Sequence, residues 1–257
     1  MSPRVLVIDV ESQRAVVESF NLFPKYITID RVIRPTRLLC FAAKFVDEDR
    51  VRFFPAWDDD DLPAYERMVH AAWALLDEAD IVVGWNNTRY DDKYFNAAFG
   101  KMGLGPVSPY KSLDLMQVAK KNFAAGELSL KLDWFSRMWL GDAKTNHGGT
   151  DLWHDIRYGT RAERRAAQKI MRTYNIHDVE LTAELYHKFL PWSNINMGIY
   201  HDDGVPHCSK CGGTDLRRSG FHYTSAGKFQ EYRCRDKDCR GWSRGSKRLA
   251  TTELRSA

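Results

Sequence analysis

Residues 4–12 read RVLVIDVES. RVLVID (4–9) is a compact apolar run closed by an acidic residue, the pattern of a buried strand. Asp9 and Glu11 stand two apart, so both side chains point to one face of that strand. A carboxylate at the end of an apolar strand costs free energy unless a cation compensates it, and a metal ion does so well. The competing reading is a strand that runs into an exposed acidic turn.

LLCFAAKF (38–45) and VRFFP (51–55) predict two more strands joined by a polar turn at Asp47–Arg50. DDDDLP (58–63) opens a helix that runs to about Glu78. IVVGW (81–85) is a fourth buried strand, followed by a helix from about Asp91 to Met102. SLDL (112–115) is short enough for strand or loop, while 116–123 and 128–140 have helical patterns with Gly141 as a stop. A long helix covers Arg161 to Phe189 and is closed by Pro191. Strands first, then strand and helix in alternation, predict an α/β domain over 1–191 with a mixed β-sheet flanked by helices. Residues 192–205 read as a linker, 206–244 as a small metal module and 245–257 as a disordered end; no internal repeat is visible.

Two further acidic segments matter. GWNNTRYDDKYF (84–95) follows the fourth strand, and Asp91 or Asp92 could face a site there. Tyr94, Phe95, Ala98 and Met102 define the inward face of the next helix; Asp91 shares it, whereas Asp92 sits about 100° around. The alternative is that both acids simply cap the helix. In MRTYNIHDVELTAELY (171–186), Tyr174 and Asp178 are four apart and stack on one helical face, which Leu181 and Leu185 continue. A core Tyr bonded to an Asp is the plainer account.

The three segments, in this order, resemble the ExoI, ExoII and ExoIII motifs of the DEDD (DnaQ-like) 3′→5′ exonuclease superfamily. VIDVES matches D-x-E, GWNNTRYD resembles the Y-N-x-x-x-F-D pattern of family-B DNA polymerase proofreading domains, and YNIHD matches the Y-x-x-x-D of the tyrosine subtype. The histidine subtype would place His at 173, where Thr173 stands. ELSLKLDWFSRMWLG (127–141) is similar to the polymerase-type segment between the second and third motifs, and the stretch from Glu18 to Phe45 resembles small stand-alone phage-encoded exonucleases. The likeness covers about residues 4–190.

It implies a ribonuclease H-like fold and two divalent ions, Mg²⁺ or Mn²⁺, for which carboxylate oxygen is the suitable donor. By resemblance, Asp9, Glu11 and Asp178 hold the ion that activates water. Asp9 and Asp91 hold the one at the leaving 3′ oxygen, and Tyr174 orients the water. Ions about 3.5–4 Å apart can clamp both ends of an in-line displacement. The implied activity is hydrolysis of single-stranded or frayed DNA ends to nucleoside 5′-monophosphates. The alternatives are a 3′→5′ exoribonuclease, a non-catalytic nucleic-acid-binding adaptor and a ribonuclease H-like endonuclease. Weaker candidates are Asn86, as substrate contact or loop brace, and Asn87 beside it. Val16, Val17 and Phe20 are wedge or, more simply, core residues; Asp114 is a loop residue near the acids. Lys144 and His147 lie in a polar loop with GGT (148–150) and receive no role.

Four of five cysteines, Cys208, Cys211, Cys234 and Cys239, form HCSKCGG (207–213) and YRCRDKDCRGW (232–242), with Cys40 apart from them. Two close thiolate pairs predict one structural tetrahedral Zn²⁺ in a zinc ribbon, with FHYTSAGKFQEY as a hairpin about Ser225–Gly227. His207 or His222 as a ligand is unneeded. From Gly204 on there are 12 Lys/Arg against 5 Asp/Glu, a net +7, while the rest carries 26 against 29, a net −3. A basic tail suits a polyanion, so Arg217, Arg218 and Lys228 are candidate contacts to single-stranded nucleic acid, DNA favoured; the other reading is docking to a replication or repair protein. At 44% hydrophobic and 28% charged, the composition is that of a globular protein. No apolar run reaches the roughly 18 residues of a membrane span. The N-terminus lacks a signal-peptide layout, which predicts a cytoplasmic location, the host's if phage-encoded.

Overall fold

A computed structural model of the protein describes residues 2–123, 128–142 and 151–253. They form two compact units, one of Arg4–Leu185 and one of the chain from Tyr186 onward together with the residues before Arg4. The first is built on β1 (Val5–Gln13), β4 (Arg37–Phe45), β5 (Arg52–Pro55), β6 (Ile81–Gly84) and β7 (Lys111–Asp114), in the order β5-β4-β1-β6-β7. β1 is central, antiparallel to β4 and parallel to β6. Around the sheet run α1 (Leu62–Glu78), α2 (Asp91–Lys101), α3 (Leu115–Asn122), α4 (Leu132–Leu140), α5 (Asp151–Tyr158) and α6 (Arg161–Phe189). This is the mixed sheet flanked by helices that the sequence predicts.

Local chemistry explains the boundaries that matter. Asp61 caps α1 by accepting from the Ala64 N–H at 3.0 Å, and Pro63 occupies the first turn, where a missing N–H costs nothing. Gly141 ends α4 at φ +73°, a left-handed cap open to glycine without strain. The central strand β1 is buried on both faces along Val5–Ile8. Leu6, Ile8 and Val10 join a core with α1 and α2 (Met68, Val69, Leu76, Phe95), while a second cluster on the other side contains Leu39, Cys40, Leu152, Met171 and Tyr174.

The structure corrects several expectations. Phe20, expected in the core, is 92% exposed. Val16 and Val17 form a two-residue strand, β2, paired with β3 (Val32–Arg34), and Val17 is also exposed. Residues 192–205 are more than a linker: Ser193, Ile195 and Met197 are buried, and the Met197 N–H donates to the Ser209 carbonyl. Residues 245–250, expected to be disordered, continue β10 (Trp242–Ala250), because their backbone pairs with β9 (Gly227–Cys234). Lys144, His147 and GGT (148–150) lie outside the described residues. Among the described residues no helix is long and apolar enough to cross a membrane.

Asp59, in the acidic run before α1, receives Arg37 at 2.6 Å, Arg157 at 2.8 Å and Arg34 at 3.5 Å. Burial works to raise its carboxyl, but the hydrogen bonds from Arg37 and Arg157 prevail and hold it below the usual range. Arg157 also donates to the Arg14 carbonyl, so the cluster fastens α5 to the end of β1. Asp59→Ala is expected to cost about 2–3 kcal/mol in denaturant unfolding, short of the ~3–5 kcal/mol for a fully buried pair because Arg34 is half exposed. The depressed pKa means that this stabilisation is present above the ordinary carboxylate range and lost as pH falls through the folded value. The gap between wild type and variant should therefore close in acid. An unchanged midpoint at neutral pH would contradict this account.

Candidate active site and cysteine centre

β1 carries Asp9 and Glu11 on the face opposite Ile8 and Val10, with Asp9 across from Ala42 and Glu11 across from Cys40 on β4. That is the side of the second core cluster, where Cys40, Met171 and Tyr174 pack. Cys40 is fully buried, and burial together with Glu11 and Asp9 pushes its thiol well up, so it stays neutral beneath the acids.

α6 presents Met171, Tyr174, Asn175 and Asp178 at helical spacing, and all four are buried. The Asn175 Nδ2 donates to the Asp9 Oδ2 at 2.7 Å and to the Asp9 carbonyl at 3.2 Å. This amide ties the strand that bears Asp9 to the helix that bears Tyr174 and Asp178, one residue before it and three after.

Asp91, the first residue of α2, reaches β1 from the other neighbour. Its Oδ1 accepts the Val10 N–H at 3.0 Å, between Asp9 and Glu11 in sequence. It is only 4% exposed; burial, then the charges of Asp92 and Asp114, raise its carboxyl to about 7. Asp92 is half buried and raised to about 6, first by burial, while the Asn87 side chain favours its charged form. Of the two, Asp91 is the more deeply buried and is the one that accepts the Val10 N–H of β1.

The loop before α2 is braced from below. The Asp114 carboxylate accepts the Asn86 N–H and the Thr88 hydroxyl, besides capping α3 through the Met116 N–H. Asn86 adopts φ +67°, a conformation asparagine tolerates better than most residues. Asn87 is fully buried and donates to the Ser112 hydroxyl. A side chain at Gly84 would meet the Asn87 Cβ at 2.6 Å, so this close approach requires glycine. Trp85 ties the segment 128–141 to the same loop, its indole donating to the Leu130 carbonyl at 3.0 Å. Tyr90 pairs its hydroxyl with that of Ser12 and is raised to about 12, chiefly by burial.

Asn175 and Tyr90 escaped the sequence reading. For Asn175 a signal existed: it lies on the stripe of Met171 and Asp178, beside Tyr174. Asn175→Ala is expected to weaken Mn²⁺ binding in calorimetric titration by about 10–100-fold, the usual cost of losing a group that orients a ligand. A variant that binds Mn²⁺ like wild type would remove this role from Asn175.

The donor set fits hard divalent cations, since it consists of carboxylate oxygens and includes one, Asp91, that burial makes costly to charge without a cation nearby. Among the described residues, the cysteines are the group of three or more metal-binding side chains whose donor atoms all lie within 4.8 Å of one another; the acids are spaced more widely.

In the second unit, the Cys208 and Cys239 sulfurs are 3.8 Å apart and those of Cys211 and Cys234 3.7 Å. A tetrahedron with Zn–S bonds of about 2.3 Å has edges of about 3.8 Å. Disulfides need sulfurs about 2.05 Å apart. N–H groups of Lys210, Gly213 and Gly241 point at Cys208, Cys211 and Cys239 from 3.4, 3.4 and 3.3 Å. Burial, and secondarily the neighbouring sulfurs, raise Cys234 to about 11 and Cys239 further, as expected of thiols crowded for a cation's benefit. The four cysteines are thus compatible with a zinc module. His207 bonds Asp203 and the Gly212 carbonyl, and His222 faces Glu231 at 3.8 Å; neither aims at the sulfurs.

The family model of the RNase_H superfamily matches residues 34–190. The chain belongs to the RNase_H superfamily. The match begins after β1, so Asp9 and Glu11 lie upstream of it. The family B DNA polymerase from the hyperthermophilic archaeon Pyrobaculum calidifontis superposes with a TM-score of 0.50 at 17% identity, over 88% of this chain and 32% of the polymerase. The chain therefore spans about a third of that polymerase's length, and the likeness is one of fold. No curated protein matches the chain. RNase_H-superfamily membership supports a nuclease that works on nucleic acid with divalent ions.

Proposed function

We infer that the protein is a metal-dependent 3′→5′ exonuclease of the DEDD type, tyrosine subtype, with a C-terminal zinc ribbon held by Cys208, Cys211, Cys234 and Cys239. Its substrate is single-stranded or frayed DNA and its product a nucleoside 5′-monophosphate. The observation that carries this reading is the double tie of β1. Asn175 links Asp9 to the helix of Tyr174 and Asp178, and Asp91 bonds the strand between Asp9 and Glu11.

Asp9, Glu11, Asp91 and Asp178 would hold the divalent ions. When bound, those ions supply positive charge to the phosphoryl group and depress the pKa of the attacking water. The chain itself does the positioning. Tyr174 offers a hydroxyl to orient the water. The bond from Asn175 to Oδ2 keeps the Asp9 carboxylate from rotating, and the Asp114-braced loop fixes where Asp91 begins α2. Asn86 stands on that loop as a contact for the terminal nucleotide.

The test is incubation with Mg²⁺ or Mn²⁺ and 5′-labelled single-stranded DNA, RNA and duplex. A ladder that shortens from the 3′ end on DNA is expected. Internal cuts would replace the exonuclease with an endonuclease, equal or faster RNA digestion would replace the substrate, and binding without cleavage would leave an adaptor.

A further inference from the structure

The second unit contains a three-stranded antiparallel sheet in the order β10-β9-β8, with β8 spanning Leu216–Thr224. Its register sorts the basic residues by face. Arg217 and Trp242 both pair with Arg233, Arg244 pairs with Glu231, and His222 and Arg248 both pair with Phe229. Directly paired residues share a face, as do positions two apart along β9. Four arginines, Arg217, Arg233, Arg244 and Arg248, therefore stand on one side together with Trp242 and Phe229. Glu231 is the one acidic residue in the three strands.

The other face is differently used. Cys234 joins the sulfur cluster there, and the Ser243 hydroxyl accepts the Ser209 N–H at 2.9 Å. Arg218 and Lys228 also lie on that face, with Lys228 over the Phe221 ring at 3.7 Å. Two of the three contacts expected from sequence thus sit away from Arg217.

On the arginine face the guanidiniums already meet rings: Arg233 lies 4.7 Å from the Trp242 centroid and Arg244 4.5 Å from that of Phe229. Trp242 remains 46% exposed. Guanidinium forks match phosphate oxygens, and an open indole beside them offers a stacking surface for a base. An acidic protein partner would satisfy the charge but gives no reason for an exposed ring between arginines.

We propose that this sheet face is a grip for single-stranded nucleic acid, with the arginines on phosphates and Trp242 against a base. It deepens the nuclease reading by naming where the strand is held, yet it is tested without cleavage. The probe is a fluorescein-labelled oligothymidylate of about 20 nucleotides, titrated by anisotropy at several salt concentrations with the zinc-loaded full chain carrying Asp9→Asn. Arg217→Ala with Arg244→Ala should weaken binding tenfold or more and reduce the log–log salt slope by about 1.4, at ~0.7 per phosphate contact. Trp242→Ala should weaken it at least about fivefold. Arg218→Ala with Lys228→Ala, on the opposite face, should change affinity less than twofold.

The proposal is overturned if the first pair retains zinc and binds like the parent, if the opposite-face pair costs as much, or if polyglutamate binds the parent while the oligonucleotide does not. Should the arginine variants lose zinc, photocrosslinking of an iodouridine oligonucleotide to the parent decides instead. Adducts on the Trp242 or Phe229 peptide support the grip, and adducts at Phe221 or Tyr223 defeat it. A wrong nuclease reading would appear as a missing ladder with this binding pattern intact.

Discussion

Asp9→Ala is expected to abolish cleavage, lowering the single-turnover rate by about a thousandfold or more, while the protein stays folded. In the proposed site Asp9 is the one carboxylate shared by both ions, so its loss disturbs the attacking and leaving sides together. A metal's contribution to the transition state is several kcal/mol, and each 1.36 kcal/mol is about tenfold in rate. Stability should move little. Asn175 loses the Oδ2 acceptor but keeps the Asp9 main-chain carbonyl at 3.2 Å, so the net cost is about one ordinary hydrogen bond, ~1 kcal/mol, offset by removing a negative charge from an acidic site. Paired measurements of cleavage and thermal melting separate the two effects. A variant that keeps more than a tenth of wild-type activity would exclude Asp9 from the chemistry, and a collapsed melting curve would make it a structural residue.

What could be seen in the chain before folding depended on periodicity. RVLVID announces β1 because both faces of a central strand are buried, and the two-residue step from Asp9 to Glu11 survives as a shared face. The inward position of Asp91 was legible from the helical stripe, whereas its bond to the Val10 N–H, 81 residues away, was not. Asn175 was harder. An asparagine in a helix has no preferred partner until the strand carrying Asp9, 166 residues away, is brought beneath it. Phe20 misled in the opposite direction, because an aromatic residue in an apolar-looking stretch suggests a core although its neighbourhood offers none.

The second unit was less legible for a related reason. Ser193, Ile195 and Met197 alternate with exposed neighbours, but three residues make a weak pattern beside Pro191 and the two asparagines between them. WSRGSKRLA (242–250) has the composition of a tail: three cations, two serines and a glycine. It becomes a strand because β9 offers its free edge, a non-local cause that no window of this sequence contains. The same pairing places Arg248 on the face of Arg244 and Trp242, so a boundary drawn at 244 also left out one of the four arginines.

Removing zinc is expected to unfold the module that these strands form and leave the first unit intact. From Pro206 onward the buried hydrophobic side chains among the described residues are Cys208, Phe229 and Cys234. One buried phenylalanine contributes about 1.5–3 kcal/mol, whereas ordering backbone costs ~1 kcal/mol or more per residue. Structural zinc in small modules brings apparent binding free energies of about 10–16 kcal/mol, and where the ligands gather only on folding, that free energy is folding free energy. Two sulfur pairs, at 3.7 and 3.8 Å, match the edges such a site requires, and all four sulfurs lie within 4.8 Å of one another. Purified wild type should therefore carry about one zinc per chain, and Cys211→Ser should lose most of it. Hydrogen exchange in the variant, or after chelation, should then become fast across β8, β9 and β10, while β1, β4 and β6 keep their protection. Wild type without stoichiometric zinc would refute the assignment. Retained protection of β9 after the metal is gone would mean that packing, not coordination, holds the three strands together.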